Sequence, residues 1–396
     1  MAELNEHYDV VIVGGAMMGS STAWWLSRES GFDGSVLVVE RDPSYEHSST
    51  SATNSCVRQQ FSNEVNIRIS QFTAEFIRTF PSWFDGGDVP ELATNYFGYL
   101  YLAGDPTFAH VLKANQQLQA SWGAATRILD RDELAAAFPF YNLDDIVCGS
   151  HNPVDEGYFD GGTMFDTFRT HAQRNGVTYH QAAVTDIDHR DGRVVGVTLD
   201  SGASISCGTV VNAAGPRAAR VAHMAGLDLP VEPRKRFTYV FQAAEPLDQP
   251  LPLTIDPSGV HVRSDGDAYM AGCKPDIDHA VEPDDLTMDA DLWESKVWPV
   301  LAHRIPAFER IKVTTRWAGH YAYNTLDHNA VVGPHPELDG FLFINGFSGH
   351  GLQQAAAMGR GVAEWISYGE FRSIDLTPLG VERVIAGQPF AESAVI

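Results

Sequence analysis

The chain has 396 residues, a formal net charge of −24 at pH 7 and 44% apolar residues. This length exceeds one simple core and predicts two domains, and the apolar fraction suffices to fill both. The negative charge argues against nucleic acid or an anionic membrane as a partner, because long-range repulsion would oppose both.

Residues Met1 to His7 show no secretory leader, and no run of 18 apolar residues predicts a transmembrane segment. We therefore expect a cytoplasmic protein, with peripheral membrane contact left open. Its four cysteines have no C-x-x-C spacing, which favours buried free thiols in a reducing compartment and predicts no metal site. They are Cys56, Cys148, Cys207 and Cys273.

The first element is a predicted strand over Tyr8 to Val13, followed by a glycine turn and a helix over Ser20 to Ser27. β-Branched residues suit a strand that is buried on both faces. A helix N-terminus after such a turn favours a phosphate. The turn departs from G-x-G-x-x-G only at Ala16, and its residues are Gly14, Gly15, Ala16, Met17, Met18 and Gly19.

A second predicted strand, Ser35 to Val39, ends at Glu40, 21 residues after Gly19. An acidic side chain at this place accepts hydrogen bonds from an adenosine ribose. We therefore assign Glu40 and its neighbour Arg41 to a dinucleotide site. The alternative for the whole unit is an ordinary strand and helix joined by a tight turn.

Further elements alternate between helix and strand patterns. Tyr45 to Ser55 is a polar loop, and the sequence after it predicts two helices and three strands with a hairpin between the last two. The helices are predicted at 63–80 and 108–121. One strand is predicted at 98–103, and two strands of the nucleotide domain are predicted at 182–187 and 209–215, with the hairpin at 193–202 between them.

From Val231 to Trp317 the pattern is rich in strands separated by Pro and Asp/Gly turns, which predicts an antiparallel substrate sheet. A strand at 341–345 and a helix at 352–368 then return to the nucleotide domain. The predicted nucleotide-binding domain therefore comprises 1–80, 145–225 and 318–396, and the substrate-binding domain comprises 81–144 and 226–317.

A second glycine turn, Gly346 to Gly351, lies between that strand and that helix. Two strand-to-helix turns that favour anions require one extended ligand or two ligands. FAD satisfies both turns, whereas an NAD site would leave the second unexplained. A glycine cap or close packing is the alternative for this turn alone.

Several motifs carry a resemblance to a known family. The chain resembles FAD-dependent oxidoreductases of the D-amino-acid oxidase type, which include glycine oxidase, sarcosine oxidase and dimethylglycine dehydrogenase, and within them a branch associated with assembly of respiratory complex I. The resemblance implies an α/β fold in which a Rossmann-like FAD-binding domain carries an inserted antiparallel-sheet substrate domain. The motifs lie at 59–62, 231–236, 296–299, 317–319, 324–327, 331–336 and 346–354.

The resemblance also implies which residues lie beside FAD. His320 stands where sarcosine oxidases carry the cysteine that binds the flavin covalently, so FAD is expected to be held non-covalently. The implied cofactor residues, besides the first turn, Glu40 and Arg41, are Ser48, Ser49, Thr50, Asn54, Ser55, Cys56, Val57, Val184, Ala213, Ala214, Gly215, Gly349, His350, Gly351 and Leu352.

The resemblance places residues 48–57 along the flavin, and we call them the flavin loop. For a substrate carboxylate, Arg58 is the first candidate, because it follows the flavin loop where a sarcosine-oxidase relative carries its arginine. Lys274 and Arg263 are further candidate cations, and a dicarboxylate is favoured if Lys274 joins Arg58. Tyr239, Tyr321 and Tyr323 are candidates for the pocket wall, and His350 and Tyr321 for a supporting role in catalysis. Surface or core packing is the alternative for each of them.

The expected reaction is oxidation of the C–N bond of a small secondary or N-substituted amino acid, of the sarcosine, dimethylglycine or iminodiacetate type. Hydride transfer to flavin N5 gives an imine, which water hydrolyses to an amine and an aldehyde or oxo acid. Gln353 occupies the place where sarcosine oxidases carry a lysine implicated in oxygen activation, so weaker reactivity with oxygen is expected, which favours a dehydrogenase. The electron acceptor is then oxygen, a quinone or an electron-transfer protein. The alternatives are a D-amino-acid or 2-hydroxy-acid dehydrogenase and a flavin-bearing assembly factor.

Overall fold

The computed structural model describes residues 4–84 and 89–392. Residues 1–3, 85–88 and 393–396, which belong to the predicted domains, lie outside the described residues. The strands of the described part are β1 (Val10–Val13), β2 (Val36–Glu40), β3 (Cys56–Val57), β4 (Thr94–Asn95), β5 (Tyr99–Ala103), β6 (Arg127–Leu129), β7 (Cys148–Asn152), β8 (Gly157–Phe159), β9 (Thr178–Gln181), β10 (Val184–Arg190), β11 (Arg193–Leu199), β12 (Ser204–Ser206), β13 (Thr209–Asn212), β14 (Val231–Ala243), β15 (Leu253–Ile255), β16 (His261–Asp265), β17 (Ala268–Cys273), β18 (Ile311–Asn324), β19 (Val331–Pro334) and β20 (Phe341–Asn345).

The α-helices of the described part include the helices predicted at 63–80, 108–121 and 352–368, with small shifts at their ends. They are α1 (Met17–Leu26), α2 (Glu64–Arg78), α3 (Pro106–Ser121), α4 (Arg131–Ala137), α5 (Gly161–Arg174), α6 (Ala218–Met224), α7 (Trp298–Arg304), α8 (Gly351–Tyr368) and α9 (Glu382–Ile385). Among the described residues, no helix combines the length and apolar character needed to cross a bilayer.

A six-stranded sheet in the order β19-β20-β13-β1-β2-β9 forms the centre of the first layered unit. The pairs formed by β1, β2, β9, β13 and β20 are parallel, and β19 is an antiparallel edge strand. All residues of β1 and β20 are buried, which is the burial expected when helices cover both faces. The predicted α/β, Rossmann-like sheet built from both ends of the chain is confirmed.

The strand predicted at 182–187 is present as β10, but it lies outside this six-stranded sheet. β10 pairs antiparallel with β11, which pairs with β12 in a separate three-stranded sheet, whereas β9 takes the edge position beside β2. In β10, Val184 and Ile187 are buried while Thr185 and Asp186 are exposed, as in a sheet with one solvated face. The hairpin predicted at 193–202 is present as β11 and the turn that follows it.

The second large sheet has eight strands in the order β18-β14-β17-β16-β15-β5-β7-β6. It is antiparallel except for the parallel pair of β15 with β5, so the expected antiparallel sheet is in fact mixed. β7 lies within the range assigned to the nucleotide domain, and β18 crosses the boundary placed at 318. The sequence of β7 gave no strand signal because Cys-Gly-Ser-His-Asn contains no β-branched or large apolar residue.

Helices α1 and α8 pack closely against each other in the core of the nucleotide unit. Ser21 Oγ donates a hydrogen bond to the carbonyl of Ala355 at 2.7 Å. A Cβ at Gly359 would lie 2.2 Å from Ser21 Oγ and 2.8 Å from the Ser21 carbonyl carbon. The absence of a side chain at Gly359 therefore allows the two helices to bring their N-termini together.

Candidate functional site

A cavity of about 500 Å³ extends from the carboxyl end of β1 to the face of the eight-stranded sheet. Gly14, Met17 and Glu40 lie at one end of its wall, and Tyr99, Leu253 and His261 lie at the other. The cavity therefore joins the predicted nucleotide-binding turn to the predicted substrate sheet.

The first glycine turn is fixed by close backbone contacts. Gly14 has φ +100°, and a Cβ there would lie 2.6 Å from the carbonyl oxygen of Ala213. A Cβ at Gly19 would lie 1.9 Å from the Gly14 carbonyl oxygen. Glu40 Oε2 accepts a hydrogen bond from the Gly15 N–H at 2.8 Å, so the acidic residue also holds the turn in place.

Two helix N-termini face the cavity. The N-cap residues Ala16 and His350 make no side-chain cap bond, and neither helix has an acidic residue in its first turn. At α1, Thr50 Oγ1 accepts a hydrogen bond from the Met17 N–H at 3.2 Å, and this hydroxyl also lines the cavity. Met18 and Gly351 are in contact range, since a Cβ at Gly351 would lie 3.1 Å from Met18 Cε. Both termini are therefore available to a ligand with negative charge at two positions.

Most residues predicted to contact the cofactor line the cavity. Gly15, Gly19 and Val57 lie behind the wall, where the two glycines allow the turn to close and Val57 is fully buried. The residues in the wall are Gly14, Ala16, Met17, Met18, Glu40, Arg41, Ser48, Ser49, Thr50, Asn54, Ser55, Cys56, Val184, Ala213, Ala214, Gly215, Gly349, His350, Gly351 and Leu352.

Cys56 is the cysteine nearest to the expected chemistry, because it lines the cavity. Burial raises the pKa of its thiol to about 11, which keeps the thiol protonated and unreactive at neutral pH. His320 stands at the position where the sequence comparison placed the covalent flavin attachment of sarcosine oxidases. It lines the cavity, and its Nε2 lies 2.9 Å from the carbonyl oxygen of Asp285.

Arg58 borders the cavity, but its side chain is fully buried. Its Nη2 lies 2.9 Å from His350 Nε2, and its guanidinium lies 4.0 Å from the ring centroid of Phe61. Burial and the Arg58 charge hold the pKa of His350 well below its usual value. His350 is therefore neutral, and because Nε2 accepts from Arg58, its proton resides on Nδ1.

Four other predicted substrate residues lie outside the cavity wall. Lys274 is exposed. Arg263 is buried and pairs with Asp265 at 2.8 Å, while its Nη2 donates to the carbonyl of Asn54 at 3.1 Å. Arg263 therefore supports the flavin loop from behind.

The two tyrosines in this group also have structural contacts. Tyr239 is fully buried and packs on Trp293 with ring centroids 4.9 Å apart. The hydroxyl of Tyr323 lies 2.7 Å from His328 Nε2. Tyr321 is the predicted tyrosine that does line the cavity, where its ring would be 2.5 Å from a Cβ at Gly349.

Sequence reasoning missed several basic residues of the wall, among them Arg236 on β14 and His261 on β16. The Arg236 guanidinium lies 4.5 Å from the ring centroid of Tyr321 and makes a bidentate pair with Asp278. His261 Nε2 lies 2.9 Å from Asn54 Nδ2, and burial lowers the pKa of His261 to about 4. The basic run at 234–236 was visible, but only the pairing of β14 with β18 places its last residue beside Tyr321.

The fold, the two helix N-termini at the cavity and the glycine turn are those of a dinucleotide-binding flavoprotein of the oxidoreductase class. Residues 9–365 match the FAD dependent oxidoreductase (DAO) family, and the chain belongs to this family. The cavity fits FAD, because one end offers Glu40 and the N-terminus of α1 while the N-terminus of α8 lies further along the same wall.

Relatives match over nearly the whole chain. The FAD-dependent oxidoreductase domain-containing protein 1 of Bos taurus is 37% identical over 426 residues, covering 99% of this chain and 87% of that protein. Mitochondrial sarcosine dehydrogenase of Mus musculus is 25% identical over 375 residues, covering 91% of this chain and 40% of that protein. The crystal structure of L-proline dehydrogenase from P. horikoshii has a TM-score of 0.84 at 25% identity, covering 98% of this chain and 100% of that chain.

Proposed function

We propose that this FAD-dependent oxidoreductase oxidises the C–N bond of a small secondary or N-substituted amino acid. The observation that carries the proposal is the continuous cavity, which leads from the two helix N-termini to a wall formed by Tyr321, Arg236 and His261. Bound FAD supplies the hydride acceptor, and water hydrolyses the resulting imine. The task of the protein is then to orient an amine and its carboxylate, which requires no side-chain nucleophile.

The Arg58–His350 pair is the proposed source of positive potential for the substrate carboxylate. Arg58 is buried behind His350, so its charge acts through the imidazole and strengthens the Nδ1–H of His350 as a donor. This differs from direct bidentate binding by Arg58, which its burial does not favour. Tyr321 forms the adjoining wall against Gly349.

The names of two relatives support a secondary amine as the substrate. Sarcosine and proline are both secondary amines that carry one carboxylate, and a sarcosine dehydrogenase and an L-proline dehydrogenase are among the proteins similar to this chain. Lys274 lies outside the cavity wall, so the case for a second carboxylate anchor at that residue is lost.

We also propose that the reduced flavin of this enzyme reacts slowly with oxygen. Gln353 lines the cavity with a neutral side chain, and its Oε1 accepts a hydrogen bond from the backbone N–H of Arg58 at 2.9 Å. A fixed neutral amide does not stabilise developing negative charge on oxygen as a cation would. The proposed electron acceptor is therefore a quinone or an electron-transfer protein.

The test is anaerobic mixing of the FAD-loaded protein with sarcosine, N,N-dimethylglycine, L-proline and iminodiacetate, with the flavin absorbance as the readout. We expect at least one of these amines to bleach the flavin band. Bleaching by D-alanine or a 2-hydroxy acid alone would favour the alternative dehydrogenases, and no bleaching across the panel would contradict the proposal.

A variant tests the role of the buried arginine. Arg58→Gln should raise the amine concentration needed for half-maximal bleaching by about tenfold or more, because a charge-assisted contact behind His350 is lost. Arg68→Gln is the matched control, since Arg68 lies on α2 in an exposed pair with Glu64. Equal effects of the two variants would count against the role of Arg58.

A further inference from the structure

The segment 276–285 lies between β17 and α7, and its carboxylates pair with arginines that line the cavity. Pro283 of this segment lines the cavity. Four arginines of the cavity wall pair with this segment. Arg236 pairs with Asp278, Arg41 and Arg217 pair with Asp284, and Arg220 pairs with Glu282. We call residues 276–285 the acidic segment.

The pair of Asp278 with Arg236 differs from the others in its burial and geometry. The two guanidinium nitrogens Nη1 and Nη2 each lie 3.0 Å from a different oxygen of Asp278. The side chains of Asp278 and Arg236 are 16% and 11% exposed, whereas those of Asp284 and Glu282 are 66% and 79% exposed. Solvent therefore screens the pair of Asp278 with Arg236 least, and this pair holds its arginine most firmly.

The fork of Arg236 is occupied in the way that a substrate carboxylate would occupy it. Planar guanidinium and carboxylate groups meet through two parallel hydrogen bonds, which is the arrangement preferred in carboxylate recognition. The same guanidinium rests on Tyr321, whose ring forms the cavity wall beside Gly349. Asp278 thus occupies the fork of an arginine that lines the cavity, although Asp278 itself lies outside the cavity wall, where it also lies 3.9 Å from Arg234.

We propose that Asp278 is a specificity-determining residue, which withholds Arg236 from substrate and restricts the enzyme to amines with one carboxylate. This inference rests on the proposed function of the same site. A dicarboxylate would need a second cation on this wall, and Arg236 is already neutralised by a residue of the chain itself. An intramolecular carboxylate competes at a high effective concentration, so an added one does not displace it.

The inference predicts that removal of the Asp278 charge creates a second carboxylate anchor. In Asp278→Asn the Arg236 fork loses its ionic partner at a position with little solvent, so it should recruit an external carboxylate. The KM for iminodiacetate should fall about tenfold or more relative to that for sarcosine, with kcat changed little, because the gain is in binding.

The experiment measures acetate and malonate binding to FAD-loaded protein by isothermal titration calorimetry, so it does not depend on turnover. Asp278→Asn should bind malonate about tenfold more tightly than wild type, with a smaller change for acetate. Asp276→Asn is the matched control, since Asp276 lies on the same segment and pairs with Lys296, a residue outside the cavity wall. Unchanged malonate binding in Asp278→Asn, or an equal gain in Asp276→Asn, would overturn the inference.

A charge-neutral double variant keeps the test decisive if Asp278→Asn does not yield folded protein. Asp278→Asn with Arg236→Gln should bind acetate and malonate within twofold of wild type, because both charges of the pair are removed. A tenfold loss would show that Arg236 already binds substrate carboxylates in the native protein, and would refute the proposal. A gain for malonate in Asp278→Asn without flavin bleaching by any amine would refute only the proposed function.

Discussion

Substitution of Glu40 tests whether the acidic residue at the end of β2 holds the cofactor turn. Its Oε2 accepts from the Gly15 N–H at 2.8 Å and its Oε1 accepts from the Asp42 N–H at 2.9 Å. Glu40→Gln preserves the shape but leaves only one acceptor oxygen, so one of these two N–H groups must face an amide donor. An N–H group that loses its partner costs about 1–3 kcal/mol, and the lower half of that range applies because Glu40 is half-buried.

This cost converts to FAD affinity at about 1.4 kcal/mol for each tenfold change. We therefore expect the Kd for FAD to rise about 5- to 30-fold, measured by titrating apoprotein with FAD and following the flavin fluorescence. Glu46→Gln is the matched control, since Glu46 is exposed in the same loop region and carries the same charge. The reasoning fails if Glu40→Gln binds FAD within twofold of wild type or if both variants weaken binding equally.

Three further substitutions address backbone strain, a buried ion pair and acid stability. Gly349→Ala should lower FAD affinity, because Gly349 has φ +98° and its Cβ would lie 2.5 Å from the ring of Tyr321; an unchanged Kd for FAD would contradict this. Arg383→Met should lower the free energy of unfolding by about 3–5 kcal/mol in a denaturant titration, because Asp327 would remain buried without its partner at 2.7 Å; a loss below about 1 kcal/mol would refute it. The pKa of His261 is lowered to about 4, so the unfolded state binds the proton first and the free energy of unfolding should fall as pH drops below about 6.5. Between pH 6.5 and 5, His261→Gln should lose about 2 kcal/mol less of this free energy than wild type. Parallel pH profiles of the free energy of unfolding for the two proteins would exclude this role.

The buried pair of Arg58 and His350 changes how the site is understood. A basic residue next to the flavin loop suggested a fork open to substrate, but Arg58 is enclosed and donates to neighbouring protein acceptors. Burial, together with the positive charge of Arg58, holds the pKa of His350 well below its usual value, and the contact with Arg58 fixes which nitrogen carries the proton. In the proposed function, Arg58 therefore acts on the cavity through His350.

The sequence by itself determined the parts of this protein that depend on local backbone geometry. The glycine turn at 14–19, the acidic residue after β2 and the second turn at 346–351 each require particular residues within a short stretch. Their positions predicted the α/β sheet and a dinucleotide cofactor, and most residues of the two turns line the cavity together with Glu40. These features could be predicted because φ > 0, close backbone approach and helix termini leave local patterns.

Only the tertiary structure decided which charged side chains meet at the substrate end. Arg236 and Asp278 are 42 residues apart in sequence, and their pairing arises from the register of β14 and the path of the acidic segment. Arg58 was the first candidate cation and Lys274 a further one, yet Arg58 is fully buried and Lys274 is exposed outside the cavity wall. The physical reason is that a long charged side chain carries no local signal of its partner, so its role depends on the distant groups that folding brings to it.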